Sequence, residues 1–396
     1  MSKTKTFTCN PVRVTALVPT YNRAQYLPEC LDSLLKQSRK PDQIVVIDDG
    51  STDETESIVS RYGDQVQYIK KINGGKSSAL NLGLTYATGD LIWICDDDDI
   101  AAENGLELML TALEANPGSD YVFGDYKVFE ISTDGKKSIS DPFVARRLEE
   151  PSLKINFLED MFMLQYASLV GKSIYDDLGG YDENLIRSQD YDMMLRVSRR
   201  YVGIYVPYII FYYRQHYAPR GNSQKKFNIN DNHKQWRKYD QVIFTKIRET
   251  YSLSEFTPTF AIGSPWAHRS AYIQRALIMA KRGLWSEAAE DLSAAEASSA
   301  EPLAKNDLDL LQSVVHGHEV WLTLEQNQLA VASLSKIFRR SANGQRLILR
   351  FLRPLLWLIR NLARDGEYRQ SATCFIIFYR ITGLSGIMAL LRKHDR

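Results

Sequence analysis

Residues 91–103, LIWICDDDDIAAE, run an apolar segment straight into four consecutive aspartates, Asp96 to Asp99. An uncharged run of this length with turn residues beyond it reads as a strand buried on both faces, the kind that parallel sheets require. Carboxylates held this close repel one another and raise each other's pKa unless a cation or several donors balance them. The stretch therefore predicts a buried strand with a positively charged ligand at its mouth.

Upstream the pattern repeats. VRVTALV (12–18) and QIVVID (43–48) are continuously apolar and β-branched, and VQYIKK (66–71) is a further strand. Helical patterns lie between them. QYLPECLDSLLKQ (25–37) spaces Leu27, Leu31, Leu34 and Leu35 on one face, Ser51 and Asp53 stand where N-caps belong before DETESIVSRYG, and SSALNLGLTYATG (77–89) ends at Gly89. Strands alternating with helices imply βαβ units and a mostly parallel sheet, with ligands beyond the carboxyl ends of its strands.

Downstream, YVFGDYKVFEIS (121–132), ASLVGKSIY (167–175) and YVGIYVPYIIFYYRQH (201–216) are more aromatic and predict a mixed or antiparallel extension, with a helix on SQDYDMMLRVSRR. Beyond a polar, turn-rich stretch near residue 220 the chain reads helical. SAYIQRALIMAKRGLWSEAAEDLSAAEAS (270–298) resembles one tetratricopeptide-type helix pair. Three segments follow: a catalytic domain over 1–225, a helical domain over 226–340 and basic amphipathic helices over 341–396.

Charge is balanced in total and uneven in place. Lys plus Arg number 49 and Asp plus Glu 48, which carries no nucleic-acid signature. Residues 336–396 hold 13 basic and 3 acidic side chains, leaving 36 and 45 in residues 1–335. Cys9, Cys30, Cys95 and Cys374 show no metal-finger or CxxC spacing and fit a reducing, cytoplasmic compartment. The N-terminus lacks an apolar stretch of signal-peptide type, and no run reaches the ~18 uncharged apolar residues expected of a membrane span.

Three aspartate-bearing segments recur at strand ends: Asp48 and Asp49 in IDDGSTDET, Asp96 to Asp99, and Asp190 with Asp192 in SQDYD. Any one alone reads as a helix cap or solvated turn. Together with VPTYNRAQYLPECLDSLLKQS, NGGKSSALNLGLTYATGDLIWICDDDD, GGYDENLIRSQDYDMMLRVS and YYRQH, in that order, they make residues 12 to about 216 resemble the family 2 glycosyltransferases. The resemblance implies an α/β GT-A fold, Rossmann-like with a mostly parallel mixed sheet, followed here by an α-helical C-terminal domain. It also implies transfer of a sugar from a nucleotide-sugar with inversion.

The same resemblance implies roles. Asp96, Asp97 and Asp98 align with the D-x-D group; Asp98 is the expected ligand of Mg²⁺ or Mn²⁺, while Asp96 faces the ribose. Tyr21 stacks on the base beside Pro19, Asp49 accepts from the base edge, and Lys76 meets phosphate or base. Asp190 is the expected general base, although the family's Glu-Asp pair reads Gln189-Asp190 here. Arg214 is expected near the diphosphate, with His216 completing the metal shell or donating to phosphate. Asp99 is expected to open the next helix, and Asp192 to pair with Arg196, its i+4 neighbour.

In QRLILRFLRPLLWLIRNLARDGEYR (345–369), Arg346, Arg350, Arg353, Arg360 and Arg364 fall along one helical stripe, with Trp357 nearby and Pro354 expected to kink the helix. Such a helix suits an anionic membrane surface; the alternative is an apolar side packed inside the protein with arginines in solvent. The expected whole is a metal-dependent inverting glycosyltransferase, peripheral at the cytoplasmic face of a membrane. It would use a UDP-sugar donor and a saccharide or lipid-linked saccharide acceptor of a surface glycan. The rivals are a catalytically inactive binding module of the same fold and a nucleotidyltransferase, which would need a Gly-rich phosphate loop where PTYNRAQ stands.

Overall fold

Every residue of the first strand, β1 (Val14–Thr20), is buried, because its β-branched and apolar side chains alternate between two covered faces of one sheet. The computed structural model describes residues 12–131, 137–141, 153–215, 220–221, 226–227, 232–311 and 318–391. After β1 come α1 (Leu27–Leu35), β2 (Gln43–Asp48), α2 (Thr55–Ser60), β3 (Gln67–Lys70), α3 (Lys76–Tyr86) and β4 (Leu91–Ile94). The four strands pair in parallel in the order β3-β2-β1-β4. Helix α3 stops at Tyr86, short of the expected Gly89. That glycine instead lies against β1, where a Cβ would come within 2.5 Å of the Thr15 nitrogen.

The aspartates leave β4 as expected, but Asp99 does not open a helix. A two-residue strand, β5 (Ile100–Ala101), comes first, and α4 (Gly105–Ala115) begins after Asn104. The sheet then turns mixed through β6 (Tyr121–Ile131), β7 (Lys137–Ile139), α5 (Leu153–Glu159), β8 (Ser168–Gly171), α6 (Lys172–Leu178), α7 (Gln189–Arg200) and β9 (Gly203–Gln215). Strand β8 runs antiparallel to both β4 and β6, β6 is parallel to β9, and β5 and β7 add antiparallel edges. Trp93 of β4 is fully buried, and its indole N–H donates to the Tyr166 carbonyl at 2.9 Å, so the largest core side chain leaves no polar atom unpaired.

A short hairpin joins β10 (Arg220–Gly221) to β11 (Lys226–Phe227), and α8 (Asn232–Thr250) follows. The chain divides into two compact units, Met1–Tyr239 and Asp240–Arg396. The second is helical: α9 (Ala267–Lys281), α10 (Trp285–Ala297), α11 (Lys305–Leu310), α12 (His318–Gln326), α13 (Gln328–Arg340), α14 (Ala342–Phe351), α15 (Arg353–Arg364) and α16 (Tyr368–Leu391). Helices α9 and α10 pack against one another. Gly283, at φ 76°, makes the turn between them, and Trp285 packs on Trp321 of α12 at 5.2 Å between ring centroids. Arg269 and Asp307 form a buried ion pair at 3.0 Å, with the Ser270 hydroxyl as a second donor to the carboxylate.

The C-terminal helices differ from the expectation in three ways. Pro354 sits in the first turn of α15, where its missing N–H costs nothing, so it starts a helix and does not kink one. Leu347, Ile348 and Phe351 of α14 and Leu355, Leu358 and Leu362 of α15 are buried within the second unit, so their apolar arc is packed and not open to lipid. Helix α16, interrupted at Gly383 (φ 61°, ψ −162°), is by length and composition long and apolar enough over Tyr368–Ala389 to cross a membrane, a third of it being buried.

Candidate active site

At the carboxyl ends of β1 and β4 lies a cavity of about 670 Å³. Pro19 and Thr20 border it from the end of β1, Tyr21 and Arg23 from the turn that follows, Gly74 to Ser77 from the start of α3, and Asp96 to Asp99 from the loop after β4. The segment Glu183–Asp190 leading into α7 closes another side, and Tyr126, Val128, Tyr213 and Trp236 complete the wall. Asp98 and Asp190, over ninety residues apart in sequence, thus open onto one space.

Two turns hold this arrangement. Asn22 has φ 52° and Ser188 φ 59°, the two non-glycine residues with positive φ among the described residues. That conformation costs an L-residue about 1–2 kcal/mol unless its surroundings compensate. At Asn22 they do: its N–H donates to Ser51 Oγ at 2.9 Å, its Oδ1 accepts from the Thr52 N–H at 2.8 Å, and Asp53 Oδ2 accepts from the Ala24 N–H at 3.0 Å. The loops after β1 and β2 are thereby laced together, which fixes Tyr21 and Arg23. Ser188 reverses the chain so that Gln189 and Asp190 form the first turn of α7; further along, Asp192 accepts from Arg196 Nε at 2.9 Å, the expected i+4 pair.

The charges respond to one another. Lys76 Nζ lies 2.5 Å from Asp96 Oδ1. Burial alone would lower the lysine, but Asp96, Asp190 and Asp98 outweigh it and push the ammonium up to about 12. Burial, and then the Asp98 carboxylate, push Asp97 up to about 7. Arg23 Nη1 stands 4.0 Å from Asp98 Oδ2, a loose contact. Burial also raises Asp190 above the ordinary carboxylate range, with Lys76 and the Tyr191 N–H, 2.9 Å from Oδ1, pulling the other way. Asp96, Asp98 and Asp99 each offer one carboxylate oxygen within 4.8 Å of the others. Three hard oxygen donors this close together fit a hard divalent cation.

Two expected residues are elsewhere. Asp49 is buried outside the cavity wall, and its carboxylate is taken up by Lys71 Nζ (2.8 Å), Asn73 Nδ2 (3.1 Å) and the N–H groups of Gly74 (2.9 Å) and Gly75 (2.7 Å). It braces the start of α3 and has no bond left for a base edge. Arg214 is 3% exposed and faces away from the cavity. Its Nε donates to the Asp98 carbonyl at 2.7 Å, its Nη2 to Glu29 Oε2 at 2.8 Å and its backbone N–H to Asp99 Oδ1 at 2.7 Å, while the guanidinium stacks 4.5 Å from the Phe129 ring. It holds the acidic loop from behind. His216 lies outside the described residues.

The swap at β9 follows strand alternation. Val128 is in register with Tyr213, and Phe129 with Arg214, so one pair faces the cavity and the other the opposite side. Tyr213, Arg23 and Trp236 line the cavity although the motifs did not single them out, and Asp99, expected to open a helix, lines it too. Counting the period of two back along β9 selects Tyr213, and Arg23 stands inside PTYNR; Trp236 has no local signal.

Residues 15–179 match the model of the family described as glycosyl transferase family 2. An uncharacterised glycosyltransferase of Rickettsia prowazekii is 31% identical over 188 residues, 47% of this chain and 58% of that protein. One from Rickettsia typhi is 33% identical over 196 residues, 48% of this chain and 60% of that protein. The chain thus spans about three fifths of the length of these relatives. Among solved structures, S. aureus TarS 1–349 is similar over 89% of this chain and 92% of that one at 15% identity, with a TM-score of 0.50. The same fragment in complex with UDP-GlcNAc gives 16% identity and a TM-score of 0.50. These likenesses are of fold, and the α/β architecture is of the GT-A class.

Proposed function

We propose, from the match of residues 15–179 to the model of glycosyl transferase family 2, that this chain transfers a sugar from a nucleotide-sugar to a hydroxyl of a saccharide or lipid-linked saccharide, with inversion. The observation that carries the proposal is the single cavity bordered by both Asp190 and the Asp96–Asp99 loop, with Lys76 beside both. Asp190 takes the proton of the acceptor hydroxyl as its oxygen attacks the anomeric carbon. A carboxylate raised by burial is a stronger base than a free one, and positioned proton transfer is worth roughly 10²–10⁴ in rate.

The opposite side of the cavity receives the donor. Tyr21 stacks on the base, Pro19 and Thr20 shape that wall, Asp96 and Asp97 meet the nucleoside, and Lys76 and Arg23 face the phosphates as the bond to the sugar breaks. Asp96, Asp98 and Asp99 would hold Mg²⁺ or Mn²⁺. Such a cation, when bound, stabilises charge on a departing diphosphate. Gln189 is buried in the wall with its Oε1 unpartnered, which suits it to accept a bond from a sugar hydroxyl. Arg353, Trp357, Arg360 and Arg364 lie on the solvent side of α15, Trp357 being 65% exposed. They are the proposed contact with an anionic membrane surface at the cytoplasmic face.

The test is a panel of nucleotide-sugars, UDP-sugars first, incubated with the chain and a divalent cation while released nucleotide is identified. Release that vanishes in Asp190→Ala, with nucleotide binding kept, is the expected result. Nucleotide binding without turnover under any cation or acceptor would favour the inactive module.

A further inference from the structure

The second unit carries a site of the opposite sign. Between α13 and Arg380 of α16 lies a surface groove of about 750 Å³ lined by Lys336, Arg339, Arg340 and Arg380 and by no carboxylate. Arg340 has a partner, since its Nη1 lies 2.8 Å from Glu296 Oε2. Among the described residues no ion pair or hydrogen bond engages the side chains of Lys336, Arg339 or Arg380. Ser335 belongs to the same lining; it is 8% exposed, and its buried hydroxyl has no hydrogen-bond partner. Cations gathered without counter-charge repel, and a buried hydroxyl without an acceptor is unfavourable. An anion with several oxygens answers both.

The flanks of the groove say what carries that anion. One turn before Arg380, on the same face of α16, stands Ile376, 46% exposed, and just past the break at Gly383 stands Leu384, 69% exposed. Leu329, beside Gln328 of the lining, is 79% exposed. A soluble phosphate offers such side chains nothing to bury against, whereas a lipid sets acyl chains beside its headgroup. Guanidinium groups pair two-pronged with phosphate oxygens, and three cations unpaired among the described residues suit a terminal, doubly charged phosphate better than a singly charged diester. We propose that this groove is a binding site for the terminal phosphate of an anionic lipid. The inference rests on the membrane contact proposed above and names its seat: the α15 stripe supplies general attraction, and the groove supplies headgroup recognition.

The full chain is tested by co-sedimentation with phosphatidylcholine vesicles containing either phosphatidic acid or phosphatidylglycerol, matched in total charge. The expected result is a preference for phosphatidic acid of about tenfold, abolished in Lys336→Gln/Arg339→Gln/Arg380→Gln and reduced in Ser335→Ala. Arg353→Gln/Arg360→Gln/Arg364→Gln should weaken binding to both vesicles and keep the preference. Circular dichroism and melting temperature establish that the variants are folded. Vesicle binding with no preference, or a preference that survives the groove variant, overturns the groove and leaves the membrane contact standing. Absence of binding to either vesicle overturns both, and inorganic pyrophosphate binding lost in the groove variant would then assign the site to a soluble anion.

Discussion

The acidic cavity of the first unit and the basic helices of the second face the same difficulty, like charge in close quarters, and handle it differently. Asp96 to Asp99 are crowded by the backbone itself, three of them buried, with Arg214 holding the loop from behind while Lys76 and Arg23 stand in front. The arginines of α14 and α15 are spaced by helical turns, with their apolar partners turned inward and their charges screened by water. Charge in the cavity is costly and tied to chemistry; charge on the helices costs little.

The largest expected effect breaks or keeps that contrast outright. Asp190→Asn should lower turnover about a thousandfold with nucleotide affinity unchanged in a binding titration; retained turnover would make the cavity one more acidic surface. Asp98→Asn should cost about a hundredfold at fixed divalent cation, partly recovered as cation is added, and chelation should abolish activity of the unaltered chain. Next comes stability. Arg214→Met leaves the Asp98 carbonyl without its donor and Glu29 without its partner, and should destabilise by about 2–4 kcal/mol in denaturant unfolding. Replacing Arg353, Arg360 and Arg364 together by glutamine should change it by less than about 1 kcal/mol.

The smallest effect is a shift in pH dependence. Asp190 works unprotonated and its pKa is raised, so kcat/KM should fall, as pH drops, at a value above the ordinary carboxylate range. Lys76 pulls that pKa down, so Lys76→Gln should move the acid limb to higher pH, read from the kcat/KM profile across buffers of constant ionic strength.

Much of the first unit is legible because its signals are local. VTALV, IVVI and LIWI are uncharged runs that suit a doubly covered sheet, and the helices between them set a parallel order. What escapes is set by distant pairing. Asp99 looks like a helix opener until β5 finds β9, more than a hundred residues on. Arg214 looks like a phosphate contact until the register of β6 with β9 turns Tyr213 to the cavity in its place. Asp49 carries the right motif, yet which of its atoms are already spent depends on where Gly74 and Gly75 fall. On α14 and α15 the periodicity is plain, but an apolar stripe does not say whether protein or lipid covers it.

Asp49 has one more consequence. The amide hydrogens ahead of α3 form the kind of electropositive cradle in which nucleotide-binding folds commonly seat phosphate, and here the Asp49 carboxylate occupies that cradle. In the proposed reaction a departing diphosphate would then meet Lys76, Arg23 and a divalent cation in place of the helix pole. Affinity for the spent nucleotide should then track divalent concentration, so that product leaves when the ion does.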